Sequence, residues 1–137
     1  DVVYDRLVRP RNAVLDYNTR FSGVSEHTLR DVTRRIEDVQ RDLCRLIAAD
    51  RTVLVGHSLD SDLHAVRLVH RRVIDTSVLY PFTLATAQIV PRNRRQYRKN
   101  KLRDLVRLHL HRHIQRDAAT GDELHDSAED AVAALEL

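Results

Sequence analysis

The 137 residues include 42% hydrophobic side chains, which supports one folded domain over residues 1–137 and excludes a disordered chain. With 23 basic and 20 acidic residues the net charge is +3, so the surface admits an anionic partner but is not a polybasic tail. The chain has no signal-peptide pattern and no apolar run near the roughly 20 residues that cross a bilayer, so we expect a soluble protein with no membrane partner.

The first third of the chain predicts a strand followed by helices. The opening VVYDRLV combines β-branched and aromatic residues and stops at the breaker cluster Arg9-Pro10-Arg11-Asn12, which indicates a strand and then a loop. Ser25 is a suitable cap for a short helix, and a second helix is predicted from Thr33 to Ala49 by its apolar spacing. Cys44, the single cysteine, lies in that helix and has no intrachain disulfide partner, which favours a reducing compartment such as the cytoplasm or nucleus.

The middle of the chain predicts a parallel α/β unit. The apolar run TVLVG (52–56) reads as a buried strand, a helix opens at Asp60 or Ser61, and RVIDT (72–76) reads as a second strand. Successive strands joined by a helix are parallel, with a right-handed crossover. Functional groups in such sheets usually lie at the carboxyl ends of the strands.

The last third contains a basic linker and two helices. The linker runs from Pro81 to Asn100, LRDLVRLHL then resumes helical periodicity, and Gly121 precedes the last helix. The basic residues resemble a phosphate-tracking patch with Tyr97 as a stacking ring, although a solvated loop explains them equally well. These basic residues are Arg92, Arg94, Arg95, Arg98, Lys99, Lys101 and Arg103.

Two places carry candidate catalytic chemistry. In HDSAEDA, Asp126 or Ser127 can cap the last helix, and acids in its first turn complement the helix dipole, but His125 is disfavoured there unless it is a neutral, usable base. Asp62 lies in the first turn of a helix that follows a strand, a position that suits a metal ligand. Together with Asp130, these residues fit metal-assisted phosphodiester hydrolysis, while helix capping remains the alternative explanation of both acids.

Four segments in this order resemble the Rex-type RNA exonucleases of the DEDDh 3′→5′ family: DYNTRFSGV, LVGHSLDSDLHAV, RVIDTSVLYP and HDSAEDA. The resemblance spans nearly the whole chain, and residues 86–99 fit it least well. It implies a ribonuclease H-like α/β fold and removal of nucleotides from single-stranded RNA 3′ ends with two Mg²⁺ or Mn²⁺ ions. By this resemblance Asp62 and Asp130 are metal ligands, and His125 is the general base.

The resemblance also implies an RNA-contacting loop. Arg20 is expected to meet a phosphate and Phe21 to stack on a base, although a solvated Arg20 and a core Phe21 remain open alternatives. His57, which follows Gly56, is expected to have a structural hydrogen-bonding role. The candidate RNA-binding residues are Asn18, Arg20, Phe21 and Ser22.

The family's first motif, an Asp-x-Glu pair on the central strand, does not occur upstream of VVYDRLV in this sequence. The expectation is therefore a sheet without its first, central strand and little or no catalysis by this chain. The alternatives are a non-catalytic RNA-binding or protein-interaction module, and a site that a second chain completes. The expected location is nuclear, nucleolar or cytoplasmic.

Overall fold

The computed structural model describes residues 1–81, 99–115 and 125–137, with the backbone but not the side chain of Arg20. No helix in these ranges has the length and apolar character needed to cross a bilayer. The described elements, in chain order, are α1 (Thr19–Ser22), α2 (Glu26–Leu29), α3 (Ile36–Leu46), β1 (Leu54–Gly56), α4 (Leu59–Ala65), β2 (Val73–Asp75), α5 (Thr76–Leu79), α6 (Leu102–His109) and α7 (Ser127–Glu136).

The centre of the fold is a parallel pair of strands, which confirms the predicted strand-helix-strand unit. Strand β1 pairs with β2 in a register that places Gly56 opposite Asp75, and α4 forms the crossover. A Cβ atom at Gly56 would lie 2.7 Å from the end of the Leu59 side chain, so a larger residue there would require that side chain to move. This turn positions Asp62 in the first helical turn after the sheet.

The predicted first strand is wrong. Residues 1–10 adopt no regular secondary structure; instead the Tyr4 hydroxyl donates to Asp42 Oδ2 at 3.0 Å and the Arg9 amide donates to the Arg34 carbonyl at 2.9 Å. Alternating β-branched residues favour a strand only when a neighbouring strand completes the ladder. Within the described residues, the partners of this segment are instead Asp42 in α3 and Arg34 just before α3.

The predicted helices form, but with narrower bounds. Ser25 caps α2 in a reciprocal capping box with Thr28, and the longer helix runs from Ile36 to Leu46 rather than from Thr33 to Ala49. Helix α3 begins at a second capping arrangement, in which Asp38 accepts from the Arg35 amide at 2.9 Å. The capping contacts therefore define both starts more narrowly than the apolar spacing did.

The apolar core lies between α6 and α7. Helix α7 packs against both α6 and β1, because the small, fully buried side chains of Ala133 and Ala134 permit close approach. This packing fixes the helix whose first turn carries Asp130. The core cluster consists of Leu102, Val106, Ile114, Ala133 and Ala134.

Candidate functional site

The N-terminus of α7 is capped by Asp126. Its Oδ1 accepts from the amides of Ala128 at 2.8 Å and Glu129 at 3.0 Å, so Asp126 rather than Ser127 is the capping side chain. Two of the helix's free N–H groups are satisfied in this way. The carboxylate of Asp130 is therefore not needed as a cap.

Asp130 is shared between an imidazole and an amide. His125 Nδ1 lies 3.2 Å from Asp130 Oδ2, with 40% of the His125 side chain and 25% of the Asp130 side chain exposed. Gln115 Nε2 donates to both Asp130 oxygens at 2.9 and 3.1 Å. Because an ionised carboxylate only accepts hydrogen bonds, it favours the proton on Nδ1 and leaves Nε2 as the basic nitrogen.

Gln115 is held in an uncommon conformation. Its φ is 61°, which a non-glycine residue adopts at some cost. It is 7% exposed, and its backbone amide donates to Glu129 Oε2 at 2.9 Å. Both acids in the first turn of α7 thus take hydrogen bonds from this one residue, which orients Asp130.

The backbone of His125 is tied to the loop around α1. Its amide donates to the Phe21 carbonyl at 3.3 Å, and Phe21 is 39% exposed, so the core alternative for Phe21 is wrong. Asn18 and Gly23 flank α1 in left-handed conformations, and the Ser22 hydroxyl donates to the Tyr17 carbonyl at 2.8 Å. Ser22 therefore shapes the loop. The side chain of Arg20 lies outside the described residues.

The turn before α4 is built on the carboxylate of Asp75. This carboxylate accepts from the amides of Ser58 at 2.9 Å, Leu59 at 3.1 Å and Ser77 at 2.9 Å. Desolvation raises the pKa of Asp75, but the hydrogen bonds from Ser77, Ser58 and Leu59 outweigh it and leave that pKa below its usual value. Asp75 is therefore an ionised anchor for the turn that precedes Asp62.

Asp62 lies near two other carboxylates, those of Asp60 and Asp75. Although the residue is open to solvent, desolvation by surrounding protein atoms raises the pKa of its carboxyl group, and the charges of Asp60 and Asp75 add to this rise. Asp60 is neutralised by Lys99, whose Nζ donates to Oδ1 at 2.7 Å, and this hydrogen bond lowers the pKa of Asp60. A further cation near Asp62 would be electrostatically favoured.

The residues around Lys99 also bear on the predicted basic patch. Lys99 forms an isolated antiparallel β-bridge with Pro81. His57 Nε2 donates to the Asn100 carbonyl at 2.8 Å, and His57 Nδ1 lies 3.0 Å from Thr76 Oγ1. These contacts support the structural role expected for His57. Lys99 is committed to an ion pair, and residues 92–98 lie outside the described residues.

The structure joins two of the three predicted catalytic residues. His125 contacts Asp130, whereas the charges that act on Asp62 are those of Asp60 and Asp75. Across residues 1–81, 99–115 and 125–137, no three His, Cys, Asp or Glu side chains group closely enough to hold a metal ion. The carboxylates have the right chemistry for Mg²⁺, but the described donor set does not make up a two-metal site.

No family model matches the sequence, but curated relatives do. The human RNA exonuclease 1 homolog is 44% identical over 136 residues, which are 99% of this chain and 10% of the relative. Human RNA exonuclease 5 is 44% identical over 135 residues, 98% of this chain and 15% of the relative. An uncharacterized exonuclease of Schizosaccharomyces pombe is 40% identical over all 137 residues and is matched over 20% of its own length. Over this shared region, the chain is homologous to proteins named RNA exonucleases.

Solved structures show the same fold. The Pan2 catalytic unit of Neurospora crassa matches with a TM-score of 0.66 and 25% identity, over 93% of this chain and 19% of that one. The Pan2 exonuclease module of Saccharomyces cerevisiae, solved with AAGGAA RNA, matches with a TM-score of 0.65 and 27% identity, over 94% of this chain and 19% of that one. The ribonuclease H-like fold expected of a Rex-type relative is confirmed. The chain spans a tenth to a fifth of the length of these proteins.

Sequence reasoning missed two residues that shape this candidate site. Asp75 had a usable signal, because Asp-Thr-Ser after a strand is a typical helix start. Gln115 had none, since its partners Glu129 and Asp130 are 14 and 15 residues away. Only the tertiary fold brings that amide to α7.

Proposed function

We propose that this chain is the 3′→5′ exonuclease domain of an RNA-processing hydrolase, acting on the 3′ ends of single-stranded RNA. The observation that carries the proposal is the His125–Asp130 pair at the start of α7, oriented by Gln115. The names of the relatives and the RNA bound to one Pan2 module support it.

His125 is the proposed general base. With Nδ1–H donated to Asp130, Nε2 takes a proton from a water molecule as its oxygen attacks the terminal phosphorus. The bond between that phosphorus and the 3′ oxygen of the preceding nucleotide breaks, and the released oxygen takes a proton from solvent. The products are a nucleoside 5′-monophosphate and an RNA shortened by one residue with a 3′ hydroxyl.

Phe21 and Asn18 are proposed to contact the RNA, with Arg20 meeting a phosphate. Phe21 is 39% exposed, and its ring is the proposed stacking partner of a terminal base; its carbonyl accepts from the His125 amide. The residue proposed to stack on the base and the proposed general base are thus joined by one backbone hydrogen bond. Ser22, whose hydroxyl is engaged by Tyr17, contributes by shaping the loop.

Asp62 and Asp130 are the proposed ligands of divalent ions, Mg²⁺ or Mn²⁺ by the family resemblance. When bound, such ions supply positive charge that stabilises the reacting phosphate. Because the described residues contain no group of three ligands, we propose that this chain alone cleaves little RNA. Acids from outside the described residues, in a longer polypeptide or a second chain, would complete the site.

The second candidate is a non-catalytic RNA-binding module, favoured by the same shortage of ligands. The two functions differ in what they require of the RNA. An exonuclease domain recognises a free 3′ end, whereas a module that follows the backbone binds any single strand.

The test compares a linear 10-nucleotide RNA with the same sequence circularised, by fluorescence anisotropy in EDTA. We expect the linear RNA to bind at least fivefold more tightly, and Phe21→Ala to remove that preference. Equal affinities for the two RNAs in the wild-type chain would contradict the exonuclease proposal and favour the non-catalytic module.

A parallel assay follows trimming of 5′-labelled RNA in Mg²⁺ or Mn²⁺. Trimming near background is expected. Efficient trimming that Asp62→Ala or His125→Ala abolishes would show that this chain already holds a complete site, contrary to the proposal.

A further inference from the structure

A cavity of about 300 Å³ lies outside the His125–Asp130 site, between residues 9–17 and helix α2. We call it the connector pocket. Its wall is held in place, because the Arg35 guanidinium donates to the carbonyls of Arg9 and Pro10, and Arg9 Nη1 donates to the Arg30 carbonyl at 3.2 Å. The pocket is thus formed by the fold rather than by loose side chains.

The lining of the connector pocket combines the groups that recognise a nucleotide. Arg9 and Arg30 supply two exposed guanidinium groups. Tyr17 supplies a half-buried aromatic ring, and Leu29 is a buried apolar residue of the lining. Asn12 and Glu26 add polar groups. Arginine fits phosphate, aromatic rings stack on bases, and amide and carboxylate groups pair with base edges.

The two arginines differ from their neighbours in charge pairing. Arg11 pairs with Glu37 at 2.7 Å and Arg34 pairs with Asp42. Neither Arg9 nor Arg30 has an acidic partner within the described ranges. Their positive charge is therefore available to a phosphate, while the single acid in the lining, Glu26, suits the amino group of a base.

The connector pocket adjoins the loop that reaches His125. Tyr17 accepts from the Ser22 hydroxyl, and Phe21 accepts from the His125 amide. Tyr17 lies just before α1 and Phe21 lies within it, next to Ser22. The backbone of His125 and the lining of the connector pocket therefore both contact the segment of α1.

We propose that the connector pocket binds an upstream nucleotide of the same RNA strand, with Tyr17 stacking on its base and Arg9 and Arg30 contacting its phosphates. This inference rests on the proposed RNA 3′-end function. It predicts that affinity rises with RNA length until the strand reaches the pocket, and that the gain depends on these side chains.

The experiment measures the affinity of the chain for RNAs of two to ten nucleotides by anisotropy in EDTA. Arg30→Ala and Tyr17→Leu are expected to weaken binding of the 10-nucleotide RNA about tenfold and to leave the dinucleotide unchanged. Tyr17→Phe keeps the ring and should bind as the wild type does. Arg11→Ala is the matched control, because it removes the same charge two residues from Arg9 and outside the pocket.

The outcomes separate this inference from the proposed function. Equal losses in Arg30→Ala and Arg11→Ala would mean long-range charge attraction and would overturn the pocket. Preference for a free 3′ end with no effect of the pocket variants would overturn the pocket alone, whereas no preference in the wild type would contradict the proposed function. Tighter binding of an acidic peptide than of RNA, sensitive to Arg30→Ala, would also overturn the RNA assignment.

Discussion

The two turns that carry predicted catalytic acids are stabilised in opposite ways. At the start of α7, Asp130 is surrounded by the Gln115 amide and the His125 ring, which both stabilise it without a further cation. At the start of α4, Asp62 has two acidic neighbours and a raised pKa. The imidazole and carboxylate of the α7 turn are held by contacts within the fold, whereas added positive charge would stabilise the ionised carboxylate of Asp62 in the α4 turn.

The largest expected effect comes from removing the anchor of the α4 turn. Asp75→Ala leaves three amides without their acceptor, so we expect a loss of about 2–3 kcal/mol in unfolding free energy. Denaturant unfolding measures it. Asp75→Asn keeps an acceptor oxygen and should lose less; an equal loss in both would show that charge, rather than hydrogen bonding, holds the turn.

The α7 turn is tested through Gln115. Gln115→Ala loses the hydrogen bonds to Asp130 and should lower the unfolding free energy by about 1–2 kcal/mol. Gln115→Asn is compatible with the positive φ, but its side chain is one methylene shorter, so it tests the loss of the contact with Asp130 separately from backbone strain. A double-mutant cycle of Gln115→Ala with Asp130→Ala gives the coupling directly. Strict additivity would show that the amide does not stabilise Asp130.

The pH dependence of stability tests the role of the Asp75 carboxylate in the α4 turn. The folded pKa of Asp75 lies below its ordinary value of 3.8, so its contribution is present above that value and is lost as the pH falls toward the folded pKa. Between pH 5 and 2, thermal unfolding of the wild type should therefore lose this stability, while Asp75→Asn should lose less. Parallel curves for the two proteins would contradict the assignment.

The smallest effect is expected at the Asp60–Lys99 pair. Lys99 is 40% and Asp60 71% exposed, and exposed ion pairs contribute little to stability. Lys99→Ala should leave the melting temperature unchanged. A clear drop would show that the pair holds the α4 turn together with Asp75.

Local patterns predicted more of the fold than of the site. The strand-helix-strand unit followed from two short apolar runs on either side of a helical segment, and the α7 start followed from an acid-rich first turn. VVYDRLV failed because a strand requires a neighbouring strand, and in the described residues Tyr4 of this segment bonds instead to Asp42 of α3. Phe21 failed as a core candidate because exposure depends on what packs around α1.

The order of residues alone established the α/β class and the family resemblance. It also placed His125 near Asp130, because the two are five positions apart and local geometry limits their distance. The fold decided which groups orient them. Gln115, Phe21 and Asp75 meet their partners across 14 to 104 residues of chain, and contacts at such separations depend on packing of the whole domain, which no local pattern encodes.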